Sequence, residues 1–398
     1  MRKLEKRIAD TLKDGTKLVI KGRKPDETFG FVNVPPYRGS TVVYPDAESC
    51  LAGRNTFTYG RRGNPTSAAL EELWNELEGS AGTVICPSGA SAVSIAILSA
   101  VQAGDHILMV DSVYRPTRNF CDNQLTRYGV ETTYYDPLVG ADIAGLIRPN
   151  TRAIYMESPG SQTFEVQDVP AIVTVAKARG ITTLMDNTYA TALLFRPLDF
   201  GIDVSINAAT KYPTGHSDVL IGLVAANEAH FPKLKAVHGD FGLYLGPDDV
   251  YLTLRGLRTM GLRLREQGAN ALAVARALEQ RPGVKRVLHP GLPSNPGHAL
   301  FMRDFKGPSG LFSIILEAQS DREVIAFLDE LLLFGMGYSW GGYESLAVPF
   351  DCTPFRTATV YNPGGRGVRF NIGLEDPEDL IADLDRGLAA MRAVQQAG

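Results

Sequence analysis

Val204-Ser205-Ile206-Asn207-Ala208-Ala209-Thr210-Lys211-Tyr212-Pro213-Thr214-Gly215-His216-Ser217-Asp218 is a short apolar strand that runs into a turn of small and hydroxyl residues, with one lysine at its centre. Upstream, Ile181-Thr182-Thr183-Leu184-Met185 reads as another apolar strand, and it ends in Asp186. In open α/β sheets, ligands bind at the carboxyl ends of strands. The acid therefore stands where a ligand is held, and the lysine follows the next strand.

The same alternation extends outward from this point. A helical stretch from Ser67 to Glu78 precedes the strand Thr83 to Cys86. The turn Pro87-Ser88-Gly89 leads into a helix of small residues, Ala90 to Val101. Strands are expected at His106 to Val110, Glu131 to Tyr135, Arg152 to Glu157, Ile181 to Asp186, Val204 to Ile206 and Leu220 to Ala225, with helices at Arg118 to Tyr128 and Pro170 to Arg179. Short apolar strands alternating with helices specify an α/β domain around a mostly parallel sheet. A long helix from Tyr251 to Gln280 stops at Arg281-Pro282-Gly283. Beyond it, a strand at Leu311 to Leu316, a helix at Arg322 to Leu331, a strand at Gly367 to Ile372 and a helix at Pro377 to Val394 form a smaller C-terminal α/β domain. Residues 1–60 read as an arm, with a short charged helix from Lys3 to Asp14 and a Pro/Gly/Tyr-rich segment. The expected division is an N-terminal arm at 1–60, a large domain at 61–260 and a small domain at 261–398.

Composition narrows the function classes. The 398 residues are 44% hydrophobic and 21% charged, with a net charge of −4 and no long run of one sign. A nucleic-acid-binding surface needs clustered Lys and Arg, which are lacking. No stretch approaches the roughly 18 apolar residues of a membrane span, and the N-terminus lacks an apolar signal core. The expected location is the cytoplasm. Cys50, Cys86, Cys121 and Cys352 are scattered and read as buried free thiols, and no metal site is expected.

Candidate site residues cluster at strand ends. A lysine near-buried among Thr210, Thr214 and Ser217 has a lowered pKa and becomes nucleophilic. Asp186 is a ligand-pairing carboxylate or a plain turn residue. Ser88-Gly89-Ala90 offers backbone N–H groups at a helix N-terminus, which suit phosphate, or is an ordinary βα turn. Thr210 could add a hydroxyl there. Arg61, in Tyr59-Gly60-Arg61-Arg62-Gly63, is a phosphate fork or a solvated basic turn. Tyr114 stacks on a planar ligand or joins the core. Arg369 lies within an apolar strand and needs a partner, either a substrate carboxylate or a structural ion pair. Tyr338-Ser339-Trp340-Gly341-Gly342-Tyr343-Glu344 reads as a substrate wall. A lysine able to form a Schiff base, with an acid placed for a pyridinium nitrogen, is what pyridoxal 5'-phosphate (PLP) requires.

From about residue 35 to the C-terminus the chain resembles the PLP-dependent enzymes of cysteine and methionine metabolism, the trans-sulfuration family. The likeness rests on Tyr59 to Gly63, Glu157-Ser158-Pro159-Gly160-Ser161, Asp203 to Asp218, Tyr338 to Glu344 and Ile372-Gly373-Leu374-Glu375-Asp376. Within the family it is most similar to the bacterial cystathionine β-lyases. The resemblance implies fold type I and a homotetramer that is a dimer of dimers. It implies that Lys211 holds PLP and is the catalytic base, that Asp186 pairs with the pyridine nitrogen, and that Tyr114 stacks on the ring. It further implies that Gly89, Ala90 and Thr210 hold the phosphate, with Tyr59 and Arg61 of a neighbouring subunit, and that Ser339 and Arg369 hold the substrate carboxylate beside Trp340. The implied reaction is αβ-elimination. The rivals are γ-chemistry on the same fold, as in cystathionine γ-synthase or γ-lyase, and a regulatory protein that binds PLP without turnover. Two departures stand out. Ala208 replaces a serine common in relatives, so one phosphate hydroxyl is missing. Ser161 replaces an asparagine common among γ-acting relatives, which favours the β-lyase branch.

Overall fold

The computed structural model describes residues 11–397. Most of the expected charged helix, from Lys3 to Asp10, lies outside the described residues. Thr11 to Lys13 are not helical, and a helix runs instead over Asp14–Ile20. That helix packs inward. Leu18 is buried with Leu70, Leu73, Trp74 and Leu257, and Arg258 Nη1 donates to the Leu18 and Lys21 carbonyls at 2.6 and 2.8 Å.

The large sheet has seven strands in the order β1-β7-β6-β5-β4-β2-β3. They are β1 (Gly82–Cys86), β2 (His106–Val110), β3 (Glu131–Tyr135), β4 (Thr151–Glu157), β5 (Thr182–Asp186), β6 (Val204–Asn207) and β7 (Gly222–Ala226). The β2, β3, β4, β5 and β6 pairings are parallel, whereas β7 runs antiparallel to both β1 and β6. Strands β1, β2, β6 and β7 are buried along their whole length, as expected where helices cover both faces. The helix Pro65–Glu78 starts at a capping box of Asn64 and Ser67, has Pro65 in its first turn, and ends at left-handed Gly79. The expected helix at Arg118 to Tyr128 is instead α-helical over Arg115–Phe120, then a π-turn at Cys121–Leu125 and a 3-10 turn at Thr126–Tyr128.

The second sheet is wholly antiparallel, in the order β10-β11-β9-β8. Its strands are β8 (Val284–Leu288), β9 (Leu311–Leu316), β10 (Leu346–Phe350) and β11 (Arg366–Asn371). The long helix Pro247–Leu278 joins two cores. Val250, Leu254, Leu257, Met260 and Leu264 pack with Leu70 and Trp74. Ala271, Val274, Ala275 and Leu278 pack with Phe312, Ile314 and Phe370. Cys86, Cys121 and Cys352 are buried free thiols, but Cys50 is exposed on the helix Ala47–Leu51, contrary to expectation. Among the described residues no helix is long and apolar enough to cross a membrane, and no cluster of His, Cys, Asp and Glu could hold a metal ion.

Candidate active site

The carboxyl ends of β4, β5 and β6 converge on one cleft of about 260 Å³, whose lining includes Gly89, Ala90, Tyr114, Glu157, Asp186, Thr210, Lys211, Trp340 and Arg369. Nine of the expected site residues thus meet in one place once Ser339 is included through its bond to Lys211.

Lys211 is half-buried, and its Nζ donates to Ser339 Oγ at 2.9 Å. The Trp340 ring centroid lies 5.2 Å from Nζ. Burial, then the positive charge of Arg369, lower the Lys211 pKa to about 8, while Asp186 opposes the shift. The lysine turn is tied to itself by Gly215 N–H to the Lys211 carbonyl at 2.8 Å. It is pressed from outside by Gly341, at φ +80°. A Cβ there would stand 2.9 Å from the Tyr212 nitrogen and 3.1 Å from Lys211 Cα.

Asp186 ends β5 and is buried. Its Oδ1 accepts from Thr188 N–H at 3.0 Å and from Thr188 Oγ1 at 2.5 Å. Thr188 Oγ1 in turn accepts the Ala208 N–H at 2.9 Å, which couples the acid to the lysine turn. No hydrogen bond reaches Asp186 Oδ2 among the described residues. Burial raises the Asp186 pKa, against the Thr188 bonds and the charge of Lys211. A cationic partner at Oδ2 would hold it ionised.

Gly89 and Ala90 are the first two residues of the helix Gly89–Ala100. Its capping box of Ser88 and Ser91 takes the Ser91 N–H and leaves their own N–H groups free for a ligand. Gly89 is required by close packing, since a Cβ would lie 2.6 Å from Ala208 Cβ. The Thr210 hydroxyl donates to the Ile221 carbonyl at 3.1 Å and accepts the Ile221 N–H at 2.9 Å, so its hydrogen is already committed to the main chain. Tyr114 is half-exposed at the cleft, outside the core.

Arg369 lies in β11, nearly enclosed. Its Nη2 donates to the Tyr338 and Ser339 carbonyls at 2.7 and 3.2 Å, and its Nε is buried without a partner. Among the described residues it makes no ion pair, so a structural carboxylate is not what holds it. Burial brings its pKa down to about 10. Tyr59 and Arg61 do not line this cleft. Arg61 Nη1 donates to the Gly239 carbonyl at 2.8 Å and lines a separate cavity of about 130 Å³ with Arg62, Glu71 and His238.

Sequence reasoning assigned no role to Glu157 or Thr188. Glu157 ends β4 directly opposite Asp186 in register. Its Oε2 accepts the Tyr114 N–H at 2.8 Å, and burial beside Asp186 pushes its carboxyl well above the usual range. Glu157 thus fixes the Tyr114 backbone at the edge of the cleft. The signal available for Glu157 was that it and Asp186 end adjacent strands.

The pattern of the Cys/Met metabolism PLP-dependent enzymes matches residues 15–389. The chain belongs to this family. A relative from Rhizobium johnstonii is 52% identical over 383 residues, covering 95% of this chain and 96% of that protein. Cystathionine beta-lyase MetC of Escherichia coli is 45% identical over 385 residues, covering 94% and 98%. The crystal structure of metB from Corynebacterium glutamicum superposes with a TM-score of 0.88 at 31% identity, covering 96% and 98% of the two chains. The fold is therefore that of the type I PLP enzymes, as expected, and the cofactor is PLP. The cleft suits it: free N–H groups at a helix start for a phosphate, an open carboxylate oxygen for a ring nitrogen, and an amine of lowered pKa for an aldehyde.

Proposed function

We propose that the protein is a cystathionine β-lyase, which cleaves L-cystathionine with water into homocysteine, pyruvate and ammonia, and which also acts on other cysteine S-conjugates. The observation that carries this reading is the pairing, in one cleft, of a low-pKa lysine with a buried arginine whose Nε lacks a partner. An α-carboxylate fills that gap with a charge-assisted fork. The names of the relatives and Ser161, where γ-acting relatives carry asparagine, favour β- over γ-elimination.

Lys211, Gly89, Ala90 and Asp186 would hold the cofactor, with Thr210 once its hydroxyl turns from the Ile221 carbonyl, joined by Tyr59 and Arg61 of a neighbouring subunit. PLP, when bound, supplies an electron sink for the pair left at Cα. Arg369 and Ser339 bind the substrate carboxylate and turn the Cα–H toward Lys211. The Lys211 amine, kept partly neutral near pH 8, accepts the Cα proton as general base. The Cβ–S bond breaks, and Lys211 returns a proton to the departing sulfur. Tyr114 and Trp340 both line the cleft that holds the lysine.

The proposed organisation is an arm at 1–60, a PLP-binding domain at 61–260 and a small domain at 261–398, in a cytoplasmic homotetramer built from dimers. Exposed apolar residues on the arm, Phe29 at 97% and Leu51 at 91%, support its burial against a second copy. The test is product analysis with purified holoenzyme and L-cystathionine. Pyruvate with homocysteine is expected, and Lys211→Ala abolishes both. Formation of 2-oxobutyrate with cysteine would show γ-elimination instead, and no turnover of any cysteine S-conjugate would favour a binding protein.

A further inference from the structure

Residues 351–365 join β10 to β11, and so lead straight into the strand that carries Arg369. This connection belongs to the second sheet, yet it is fastened to the large one. Asp111, which follows β2, is fully buried. Its Oδ1 accepts the Thr357 N–H at 3.0 Å and the Thr357 hydroxyl at 3.3 Å. Its Oδ2 accepts the Thr359 N–H at 3.1 Å and the Thr359 hydroxyl at 2.9 Å. On the large-sheet side the same carboxylate pairs with buried Arg118 at 2.5 Å. Two further fastenings lie close by. Arg356 pairs with Glu165 at 2.9 Å and donates to the Thr163 hydroxyl. The Arg115 guanidinium lies 5.2 Å from the Phe355 ring centroid.

Each of these anchors adjoins a residue of the Lys211 cleft. Asp111 stands three positions before Tyr114 and Arg115 directly after it, while Thr163 and Glu165 flank Phe164. The main chain of Tyr114 is held at both ends. Its N–H is on Glu157 Oε2 at 2.8 Å, and its carbonyl accepts the Thr117 and Arg118 N–H groups at 2.9 and 3.2 Å. Asp111 thus holds Arg118, and Arg118 holds Tyr114. The Ser161 N–H, bonded to the Ser112 carbonyl at 2.9 Å, ties the neighbouring loop to the same turn. Arg118 neutralises the Asp111 charge locally, but it occupies only part of one oxygen. The remaining lone pairs of a buried carboxylate need donors, and here the connection between β10 and β11 supplies them.

We infer that Asp111 is a positioning residue for the reaction: by clamping the β10–β11 connection it fixes Tyr114, on the large sheet's side of the cleft, relative to Arg369, on the second sheet's side. Both side chains line the cleft, but they reach it from different sheets. Their spacing is therefore set by whatever joins those sheets near the site. Hydrogen bonds to a charged acceptor are the strong kind, and Asp111 directs them at the segment that runs into β11. A misplacement of about 1 Å between such groups costs on the order of a hundredfold in rate. This inference rests on the roles proposed above for Tyr114 and Arg369.

Replacing Asp111 itself would strand the buried Arg118 charge, so the test alters the other side of the clamp. Thr357→Val combined with Thr359→Val removes both hydroxyl bonds and leaves the Asp111–Arg118 pair in place. In purified holoenzyme its kcat/KM for L-cystathionine should fall about tenfold, because bonds to a charged acceptor are lost. The visible circular dichroism of bound PLP reports the groups packed around the cofactor ring. It should change in the same direction as in Tyr114→Ala. Thr357→Ser combined with Thr359→Ser keeps the hydroxyls and should stay within about twofold of wild type in kcat/KM, with native dichroism. A lowered Tm of the valine pair with native kcat/KM and dichroism would mean that the clamp only stabilises the fold. Reduced activity with native dichroism would detach the clamp from Tyr114, and a serine pair as impaired as the valine pair would show that the hydroxyl bonds are not what matters. Each of these results, or no change in any readout, overturns the inference. The dichroism does not depend on which bond the enzyme breaks. It therefore decides the clamp even if wild type forms no pyruvate and the β-lyase reading fails.

Discussion

Asp186 and Glu78 are both buried carboxyls whose pKa burial raises, yet their surroundings put them to different uses. Asp186 keeps one oxygen open to a cleft where a cation belongs. Asp186→Asn preserves the Thr188 contact at Oδ1 but removes the charge that would hold a ring nitrogen protonated. Pyruvate formation should fall about a hundredfold or more, while absorbance titration should show that PLP still binds; native turnover would reduce Asp186 to a turn residue. Glu78 faces no ligand. Its Oε1 accepts from Ser205 Oγ at 3.1 Å, its Oε2 is buried without a partner, and its pKa rises from 4.5 to about 8. The folded state therefore keeps a proton that the unfolded state releases. The sign follows: protonation favours folding, so stability falls as pH rises from about 4.5 and levels off above about 8. Glu78→Gln should remove this slope. Melting curves should show the variant gaining on wild type between pH 5 and 8, and parallel curves would count against a proton on Glu78.

At the scale of elements, β11 positions the chemistry by holding a loop. Arg369 binds the carbonyls of Tyr338 and Ser339, and Asn371 accepts the Gly341 N–H at 2.9 Å and donates to the Glu344 carbonyl at 2.7 Å. Gln267, from the long helix, donates to the Gly342 carbonyl at 2.6 Å. These bonds set Ser339 against Lys211. Gly341→Ala, at positive φ and against the lysine backbone, should therefore cut kcat by about tenfold or more by misplacing these groups. Gly337→Ala, whose Cβ would meet only Leu346 Cδ2 at 3.7 Å, should be near neutral in the same assay. The strands β2, β3 and β9 and the positions of Lys211 and Asp186 were legible because apolar runs between turns carry a strong local signal. Strands β8 and β10 were not, because edge strands tolerate Lys285, Arg286 and Pro349, which read as breakers. The π-turn at Cys121–Leu125 leaves no periodic trace. Glu157 was silent for another reason: its role depends on register between strands.

For the whole molecule, the decisive fact is that a single chain does not complete the expected phosphate grip. Arg61 is held by the Gly239 carbonyl in a cavity separate from the Lys211 cleft. If Arg61 serves a cofactor phosphate, it serves that of another chain, and the exposed apolar arm beside it is the surface that would bring the chains together. Arg61→Ala alone should weaken PLP binding, by about 1.5–3 kcal/mol for each charge-assisted bond lost. Mixing Arg61→Ala with Lys211→Ala is the sharper test, because each parent is impaired at every site. In a hybrid dimer, one site takes its lysine from one chain and its arginine from the other, both unmutated, while the second site carries both defects. Random exchange of equal amounts makes half the dimers hybrid, so about a quarter of all sites should regain full activity. Activity that stays at the level of the separate parents, with subunit exchange verified by native mass spectrometry, would mean that Arg61 acts within its own chain and that the arm joins subunits without sharing their sites.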